Sequence, residues 1–457
     1  MEITDKLARY VAGLSYEQIP EEVRRIARRG LIDTLGCAIA GSVEPAGRIA
    51  RELWCADGGS PRATVIGSGA ESPVRLPAAS AAMVNAIAGH ALDYDDVNAM
   101  GHPSVPVVPA ALAAAEDTNS GGRDLLTAYV CGVELETRLA RAFGESHYLL
   151  GWHSTSTLGV MGAAAAAARI YRLSAEQVAI AFGIAASQAC GLRQNFGTAT
   201  KPFHPGHAAW AGLNAARLAR AGFTADTSIL EAPQGYFHVF SAGPYDLSRP
   251  MAEPDRWEMV APGLSVKKYP CCYCTHASID AVLALKARLK FAPVDVVAVR
   301  AALTPFFLSP LIHHRPRTGL EGKFSLEYTI AAAILDSKVV LATFTEEMVR
   351  REEARRLIEK VIPGTHTEGG EGLRGTLARV TVELGDGRRM LEEIAEPRGT
   401  AKNPLSDDEL AEKFRDCCRF GWKRSDGRAE QRVARILDLL WGIERLDSLA
   451  PLTAMLG

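Results

Sequence analysis

The chain has 457 residues, and its 51 Lys and Arg against 53 Asp and Glu give a formal net charge of −2. This balance excludes a protein whose bulk binds nucleic acid or an anionic membrane through its net field. Hydrophobic residues make up 47% of the chain and charged residues 23%, which is typical of a globular protein and excludes a disordered one. At ~150 residues per domain, the length predicts two or three domains.

The N-terminal residues and the cysteines predict a cytoplasmic protein. Residues 1–6 show no basic region leading into an apolar stretch, so we expect no secretory signal. The longest uncharged run of small residues, 158–168, is shorter than the ~18–20 residues that a membrane span needs. Several of the nine cysteines lie in apolar helical segments, which is typical of reduced thiols.

Helical patterns rich in alanine occupy about the first 240 residues. Apolar residues recur at helical spacing over 20–41 and 124–143, and the capping box Ser174-x-x-Gln177 starts another helix. Helices that are apolar on nearly every side are typical of the buried centre of a large domain. We therefore predict a large all-helical domain over residues 1–265.

The pattern changes near residue 260. Alternating β-branched residues predict strands at 294–300 and 377–384, and a Gly-Asp-Gly turn joins the second to 388–393 as a hairpin. Helical stretches lie between the strands: 325–335 and 346–361. We predict a smaller α+β lid domain over 266–395 and C-terminal helices over 396–457 that pack back on the helical domain. The fold class is mainly α with an α+β second domain.

Two polar clusters interrupt the apolar helices in the first half of the chain. One comprises 90–96 and 101–104, with three carboxylates and two histidines at a break between helices. It is either a functional cluster or a solvated acidic loop with a capping Asp. The other, 146–157, contains two histidines and a tyrosine and ends in four consecutive hydroxyl residues, 154–157, before a helix. This combination favours an anion pocket over a single core histidine.

Two further clusters contain lysines. In 197–207, Lys201 stands among hydroxyls and histidines and is either a snorkelling side chain or a group that binds carboxylate or transfers a proton. Its glycines match no phosphate-binding fingerprint. In 267–276, Cys271-x-x-Cys274 is reminiscent of a zinc motif, but a closed zinc site needs four ligands. We therefore predict no metal and interpret the segment as the lining of a cleft.

Taken together, these motifs resemble the MmgE/PrpD family. The resemblance is carried in order by the following segments: His90-Ala-Leu-Asp-Tyr-Asp-Asp96 with His102-Pro, Gly151-Trp-His153, Gly197-Thr-x-Thr-Lys201-Pro, Lys267-x-Tyr-Pro-x-Cys272 with Thr275-His276, and Gly322-Lys-Phe-Ser-Leu-Glu-Tyr328. It implies a helical domain with a smaller α+β domain, an active site between them, a homodimer and no cofactor.

The same resemblance implies roles for individual residues. It marks as pocket residues Asp93, His102, His153, Lys201 and Lys267. Within its motifs we also expect Thr200, Cys272 and His276 to bind substrate. Val97 and Cys272 stand where decarboxylase-like members have Thr and His, which disfavours cis-aconitate decarboxylation. The segment 147–153 is closer to the epimerase branch, which pairs Tyr148 with Lys201 as opposed acid and base.

The function we predict is a cofactor-independent lyase of the hydro-lyase type. It acts on a small polycarboxylate by removing a proton next to a carboxylate, with catalytic candidates Lys201, Tyr148, His102, Asp93 and His153. The alternative is an epimerase of a substituted succinate, similar to iminodisuccinate epimerase. A third hypothesis, from another class, is a carboxylate-binding protein without catalysis.

Overall fold

Alanine-rich helices build the first half of the protein. The computed structural model describes residues 2–69, 73–98, 101–241, 243–253, 255–368, 376–423 and 427–457. The helices of the first half are α1 (Ile3–Gly13), α2 (Glu21–Gly41), α3 (Pro45–Asp57), α4 (Ala78–His90), α5 (Ser104–Thr118), α6 (Gly122–Phe143), α7 (Ser146–Leu149), α8 (Ser154–Thr157), α9 (Gly159–Ile170), α10 (Ala175–Ala186), α11 (Thr200–Arg220) and α12 (Tyr236–Phe240).

Helices α4, α9 and α11 form the centre of this region because their small side chains allow close approach. α11 packs against both α9 and α4. A Cβ added at Gly212 of α11 would lie 2.6 Å from the backbone nitrogen of Ala164 in α9, so only glycine allows this contact. In α9 every residue except Arg169 is buried. The predicted burial of alanine-rich helices is therefore confirmed.

The helical domain also contains one short hairpin. Two short strands, β1 (Ala63–Thr64) and β2 (Arg75–Leu76), pair antiparallel, with Ala63 opposite Leu76. β1 packs against α5, where Thr64 N and Oγ1 donate hydrogen bonds to the Glu116 carboxylate at 2.8 and 2.7 Å. The strands are too short to show an alternating pattern in the sequence.

A mixed sheet with helices follows. Its strands are β3 (Val296–Leu303), β4 (Val361–Thr365), β5 (Ala378–Leu384) and β6 (Arg389–Ile394). They lie in the order β4-β3-β5-β6, with β3 and β4 parallel and the other pairs antiparallel. Its helices are α13 (His276–Leu289), α14 (Pro305–Leu308), α15 (Gly319–Gly322), α16 (Leu326–Asp336), α17 (Glu346–Arg350) and α18 (Glu352–Ile358). Alternate residues of β5 are buried, as expected for a sheet with one covered face.

The last helices are α19 (Asp407–Trp422), α20 (Gly427–Trp441) and α21 (Ala450–Leu456), and α19 packs along α2. The buried apolar residues form two large clusters: one from residues 3–266 and 405–456, the other from 269–384. Within the described residues, no helix combines the length and apolarity needed to cross a membrane.

A buried ion pair links α19 to the segments between the two clusters. Lys413 Nζ lies 2.5 Å from Asp33 Oδ1 and donates hydrogen bonds to the carbonyl oxygens of Tyr94 at 2.7 Å and Lys267 at 2.9 Å. A buried ammonium needs such partners because burial without them costs several kcal/mol, about 3–5 when a partner is removed. The pair therefore fixes the backbone on both sides of the site described next.

Candidate active site

Asp93 stands at the centre of the site, in the loop that follows α4. Its φ of 52° is in the left-handed region, which Asp tolerates better than most residues. Lys201, in the first turn of α11, pairs with Asp93 Oδ1. Lys267 Nζ lies 3.0 Å from Asp93 Oδ2 and donates to the Asp93 carbonyl at 2.8 Å. One carboxylate thus holds two ammonium groups.

Lys267 reaches Asp93 because the two chain segments are joined by their backbones. Val97 N donates to the Ser265 carbonyl at 2.9 Å, and Ser265 N donates to the Val97 carbonyl at 2.8 Å. Burial opposes ionisation of Asp93, but Lys201 and Lys267 more than offset it and hold its pKa well below the usual range. Lys267 is itself buried, yet Asp93 raises its pKa above the ordinary value. The three groups therefore carry one net positive charge.

A second carboxylate, Asp95, lies between two imidazoles. Its Oδ1 is 2.9 Å from His90 Nδ1, and its Oδ2 is 3.0 Å from His102 Nδ1. Burial opposes ionisation of Asp95, but His102 and His90 hold its pKa well below the usual range. An ionised carboxylate only accepts hydrogen bonds, so His90 Nδ1, which is hydrogen-bonded to Asp95, carries the proton. A proton on His102 Nδ1, the nitrogen that lies near Asp95, would leave His102 Nε2 as a proton acceptor.

His102 Nε2 faces Asp93, with 3.6 Å between it and Asp93 Oδ1. The backbone nitrogen of His102 donates to Thr155 Oγ1 at 3.0 Å, which fixes the residue just before α5. Burial lowers the pKa of His102, although Asp95 opposes the shift. The imidazole is therefore neutral at neutral pH and can take up a proton.

His153 and Tyr148 stand on the side of α7 and α8. His153 Nδ1 lies 2.9 Å from His204 Nδ1, so one ring donates to the other, and burial holds the pKa of His153 well below its ordinary value. The Arg193 guanidinium lies 3.8 Å from the centre of the Tyr148 ring. Burial nevertheless raises the pKa of Tyr148, so its phenol is protonated at neutral pH.

These side chains open into a cavity with about 650 Å³ of empty space. It lies where the two apolar clusters meet, so both contribute to its wall. The lining residues are Asp93, Val97, Asn98, Gly101, His102, Tyr148, His153, Thr155, Phe196, Lys201, Lys267, Cys272, Tyr273, Cys274, Phe306, Phe307, Pro310 and Phe324. A cleft lined by aromatic side chains and a few converging polar groups is typical of a small-molecule site.

Most of the site residues predicted from the sequence line this cavity: Asp93, His102, Tyr148, His153, Lys201, Lys267 and Cys272. Two do not. Thr200 is exposed at the start of α11, and His276 is buried behind the wall, with its Nε2 3.4 Å from the Cys271 carbonyl.

Sequence reasoning missed much of the apolar wall. Phe196 and Phe324 adjoin or lie within recognised motifs, whereas Phe306 and Phe307 lie outside every motif. Cys274 lines the cavity beside Cys272, and its hydrogen bond lowers the pKa of the Cys272 thiol.

One group of described residues has the composition of a metal site. His90, Asp95 and His102 bring one ligand atom each within 4.8 Å of one another. Both oxygens of Asp95 already face imidazole nitrogens at hydrogen-bond distance, and the ammonium groups at Asp93 lie nearby. A cation here would displace these hydrogen bonds and meet like charge. Cys271 Sγ contacts Thr275 Oγ1 at 3.2 Å, which supplies a partner other than a metal.

Comparisons with known proteins agree with this architecture. The chain is 28% identical to cis-aconitate decarboxylase of Homo sapiens, over 99% of this chain and 94% of that protein. It is 27% identical to cis-aconitate decarboxylase of Aspergillus terreus strain NIH 2624, over 100% of this chain and 96% of that protein. The MmgE/PrpD N-terminal domain model matches residues 5–248 and the MmgE/PrpD C-terminal domain model matches 269–439. Because these matches span most of the sequence, the chain belongs to the MmgE/PrpD family.

Proposed function

We propose that the protein is a lyase that acts on a small polycarboxylate by removing a proton next to a carboxylate. The observation that carries this proposal is the neutral His102 beside a carboxylate that holds two buried lysines. The cis-aconitate decarboxylases that it resembles support the reaction class. Within that class we favour elimination of water, the hydro-lyase type.

Proton removal next to a carboxylate is difficult because it creates an additional negative charge on the substrate. Removing a proton next to a carboxylate gives an enediolate with a second negative charge, which fixed cations and donors must stabilise. Lys201 and Lys267 supply two ammonium groups on the cavity wall. Because they are already held by Asp93, they need little reorganisation when the charge develops.

The base in this proposal is His102. Lys201 is engaged in an ion pair with Asp93, so in this proposal it stabilises developing charge and does not accept the proton. His102 is neutral, and Asp95 on its Nδ1 orients the ring and stabilises the imidazolium that forms. In the elimination, His102 Nε2 takes the carbon-bound proton, the electron pair forms the alkene, and the hydroxyl leaves as water with a proton from Tyr148.

An epimerase of a substituted succinate is the second candidate. It is supported by the placement of Tyr148 and Lys201 in the wall of one cavity. Tyr148 would return a proton to the opposite face of the enediolate instead of releasing a hydroxyl. The first step is the same in both reactions, so the fate of the enediolate decides between them.

Solvent deuterium distinguishes the candidates. The protein is incubated in D₂O with a panel of small dicarboxylates and tricarboxylates. A lyase forms an alkene that absorbs in the ultraviolet, whereas an epimerase incorporates deuterium into recovered substrate without an alkene. Binding with neither result across the panel would contradict catalysis and leave a carboxylate-binding protein.

We expect activity to survive removal of metal ions. Protein treated with a chelator and dialysed should retain its full rate, because the charge-stabilising groups of the site are lysines and the Asp95 oxygens already have partners. Metal content is measured on the same sample as the rate. A loss of rate that zinc or iron restores would contradict this expectation. His90, Asp95 and His102 would then be the first candidate metal ligands.

We further propose a cytoplasmic homodimer. All nine cysteines are free, which suits a reducing compartment. Leu149, Leu150 and Leu192 are each more than half exposed on segments joined by the hydrogen bond from Arg193 N to the Gly151 carbonyl. An apolar patch of this kind is typical of an interaction surface. Light scattering at micromolar concentration should give twice the monomer mass of 49.0 kDa, and a monomer would contradict the proposal.

A further inference from the structure

Three buried lysines hold three consecutive carbonyl groups in the loop that carries Asp93. The donor and acceptor pairs are Lys323 with Leu92 at 2.7 Å, Lys267 with Asp93 at 2.8 Å, and Lys413 with Tyr94 at 2.7 Å. The lysines come from three places in the chain: the part with the mixed sheet, the segment 267–276 and α19. Because Asp93 is in the left-handed region, which most residues disfavour, these hydrogen bonds support a turn that needs support.

Lys323 differs from the other two lysines, each of which forms an ion pair. No carboxylate among the described residues pairs with Lys323, and its Nζ donates instead to the Leu92 and Pro270 carbonyls, both at 2.7 Å. The residue is nevertheless buried, with an exposed fraction of 4%. Burying an ammonium without a counter-ion costs stability, and such costs are typical of residues that serve a functional site.

The hydrogen bonds of Lys323 join the two parts of the protein behind the cavity wall. Lys323 lies between α15 and α16, directly before Phe324, which lines the cavity. Its side chain holds the carbonyl that precedes Asp93, and its own carbonyl accepts a hydrogen bond from Cys272 N at 2.9 Å. Lys323 is not itself a lining residue. Its influence on a bound ligand therefore passes through the residues that it holds.

We propose that Lys323 is a positioning residue, whose two hydrogen bonds hold the Asp93 loop against the segment 267–276 and so keep Asp93 aligned with Lys201 and Lys267. This inference rests on the proposed function, in which those two lysines stabilise the developing charge. A displacement of about 1 Å in a site can lower a rate by about 10²-fold, even when the substituted residue is far from the chemistry.

Lys323→Met tests the proposal, because methionine fills similar space but supplies neither donor nor charge. It is expected to lower kcat by about 10²-fold in protein that still gives a folded thermal melt. Lys286→Met is the matched control and should retain the full rate. Lys286 is a half-buried lysine of α13 that donates to the Ile334 carbonyl and lies outside the cavity lining. A full rate in folded Lys323→Met protein would overturn the proposal.

The pH profile separates positioning from a merely structural role. Burial lowers the pKa of Lys323 to about 8. The titratable groups that act on this pKa are Asp93, Cys271 and Glu44, which raise it, and Lys267, which lowers it further. The charged form makes the stronger hydrogen bonds, so the wild-type rate should fall as the pH rises through about 8. Above this pH the unfolded chain binds more protons at Lys323 than the folded protein, so this residue's contribution to stability rises while the rate falls.

Lys323→Arg completes the test, because a guanidinium stays charged and can donate to both carbonyls. This variant should retain more of the rate than Lys323→Met and should lose the alkaline limb near pH 8. A limb that persists in Lys323→Arg would assign it to another group, such as the Cys272 thiol in the cavity wall, and would overturn the proposal. If Lys323→Met does not fold, the comparison of wild type with Lys323→Arg decides.

A measurement independent of turnover keeps this proposal distinct from the lyase. Crystal structures of wild type and Lys323→Met should show that the distance from Lys267 Nζ to Asp93 Oδ2, 3.0 Å here, lengthens in the variant. If it lengthens but the wild type turns over no small polycarboxylate, positioning stands and the lyase is contradicted. If the wild type forms an alkene and the variant retains both this distance and the rate, positioning is overturned and the lyase stands.

Discussion

Lys201→Ala is expected to lower kcat by about 10²–10³-fold, the usual effect of removing one group that stabilises developing negative charge. The fold should persist because Asp93 keeps Lys267 as a partner. Steady-state kinetics on the preferred substrate give the effect, and a thermal melt checks folding. Lys402→Ala is the control. The Lys402 side chain is 79% exposed, so this substitution should change neither kcat nor the thermal melt.

Rescue with small amines separates stabilisation of charge from proton transfer at Lys201. Methylammonium can enter the space that the lysine leaves and restore a cation beside Asp93. If Lys201 stabilises charge, the rescued rate follows the concentration of protonated amine across pH. A rate that follows the free amine and increases with its basicity would contradict this role and make Lys201 the base. Lys201→Arg adds a second test, because a guanidinium retains charge but does not accept a proton.

His102→Gln is expected to lower kcat/KM by about 10²–10⁴-fold, the range for loss of a general base. The pH profile gives the sharper result. The neutral imidazole is the active form, and burial makes it harder to protonate, so the acid limb of the wild-type profile should lie below the usual histidine pKa of about 6.5. As the pH falls through that limb, the rate falls with it.

The matched control for this variant is His207→Gln. His207 lies on α11 outside the cavity lining, and burial lowers its pKa as it does that of His102. The control should retain both rate and pH profile. An acid limb that persists unchanged in His102→Gln would show that another group is the base, with His153 the next to test. Asp95→Asn should weaken the orientation of His102 and shift the same limb to lower pH.

The fold was largely predictable wherever local patterns determine it. The capping box at Ser174 starts α10 as predicted, and in the structure Ser406 and Glu409 form a second capping box that starts α19. The hairpin of β5 and β6 forms at its Gly-Asp-Gly turn. The expected helix over 346–361 is instead α17 and α18, broken at Arg351, and its last residue, Val361, begins β4. β4 exists because it pairs in parallel with β3, a long-range contact that no local pattern reveals.

The candidate site likewise has residues that the sequence makes recognisable and residues that it does not. Charged and imidazole residues in apolar surroundings stand out in a sequence, which makes the clusters that contain Asp93, His102 and Lys201 recognisable, and the family resemblance then marks these three residues. Phenylalanines are ordinary in a core, so nothing distinguishes Phe306 and Phe307, which line the cavity, from those that fill the interior. Thr200 adjoins Lys201, but the helix directs the two side chains differently, and Thr200 is exposed.

The cavity is assembled from two separate apolar clusters, and this separation bears on how such proteins diversify. Asp93, His102 and Lys201 belong to the helical part, whereas Phe306, Phe307 and Phe324 come from the part with the mixed sheet. Substitutions inside one cluster, away from the cavity, leave the packing of the other largely intact, since sites that share no partners contribute almost independently to stability. Evolution can therefore alter what the protein accepts by changing one half of the wall while the residues proposed to transfer protons stay fixed. Chimaeras that exchange residues 269–384 between relatives should inherit their selectivity from that segment.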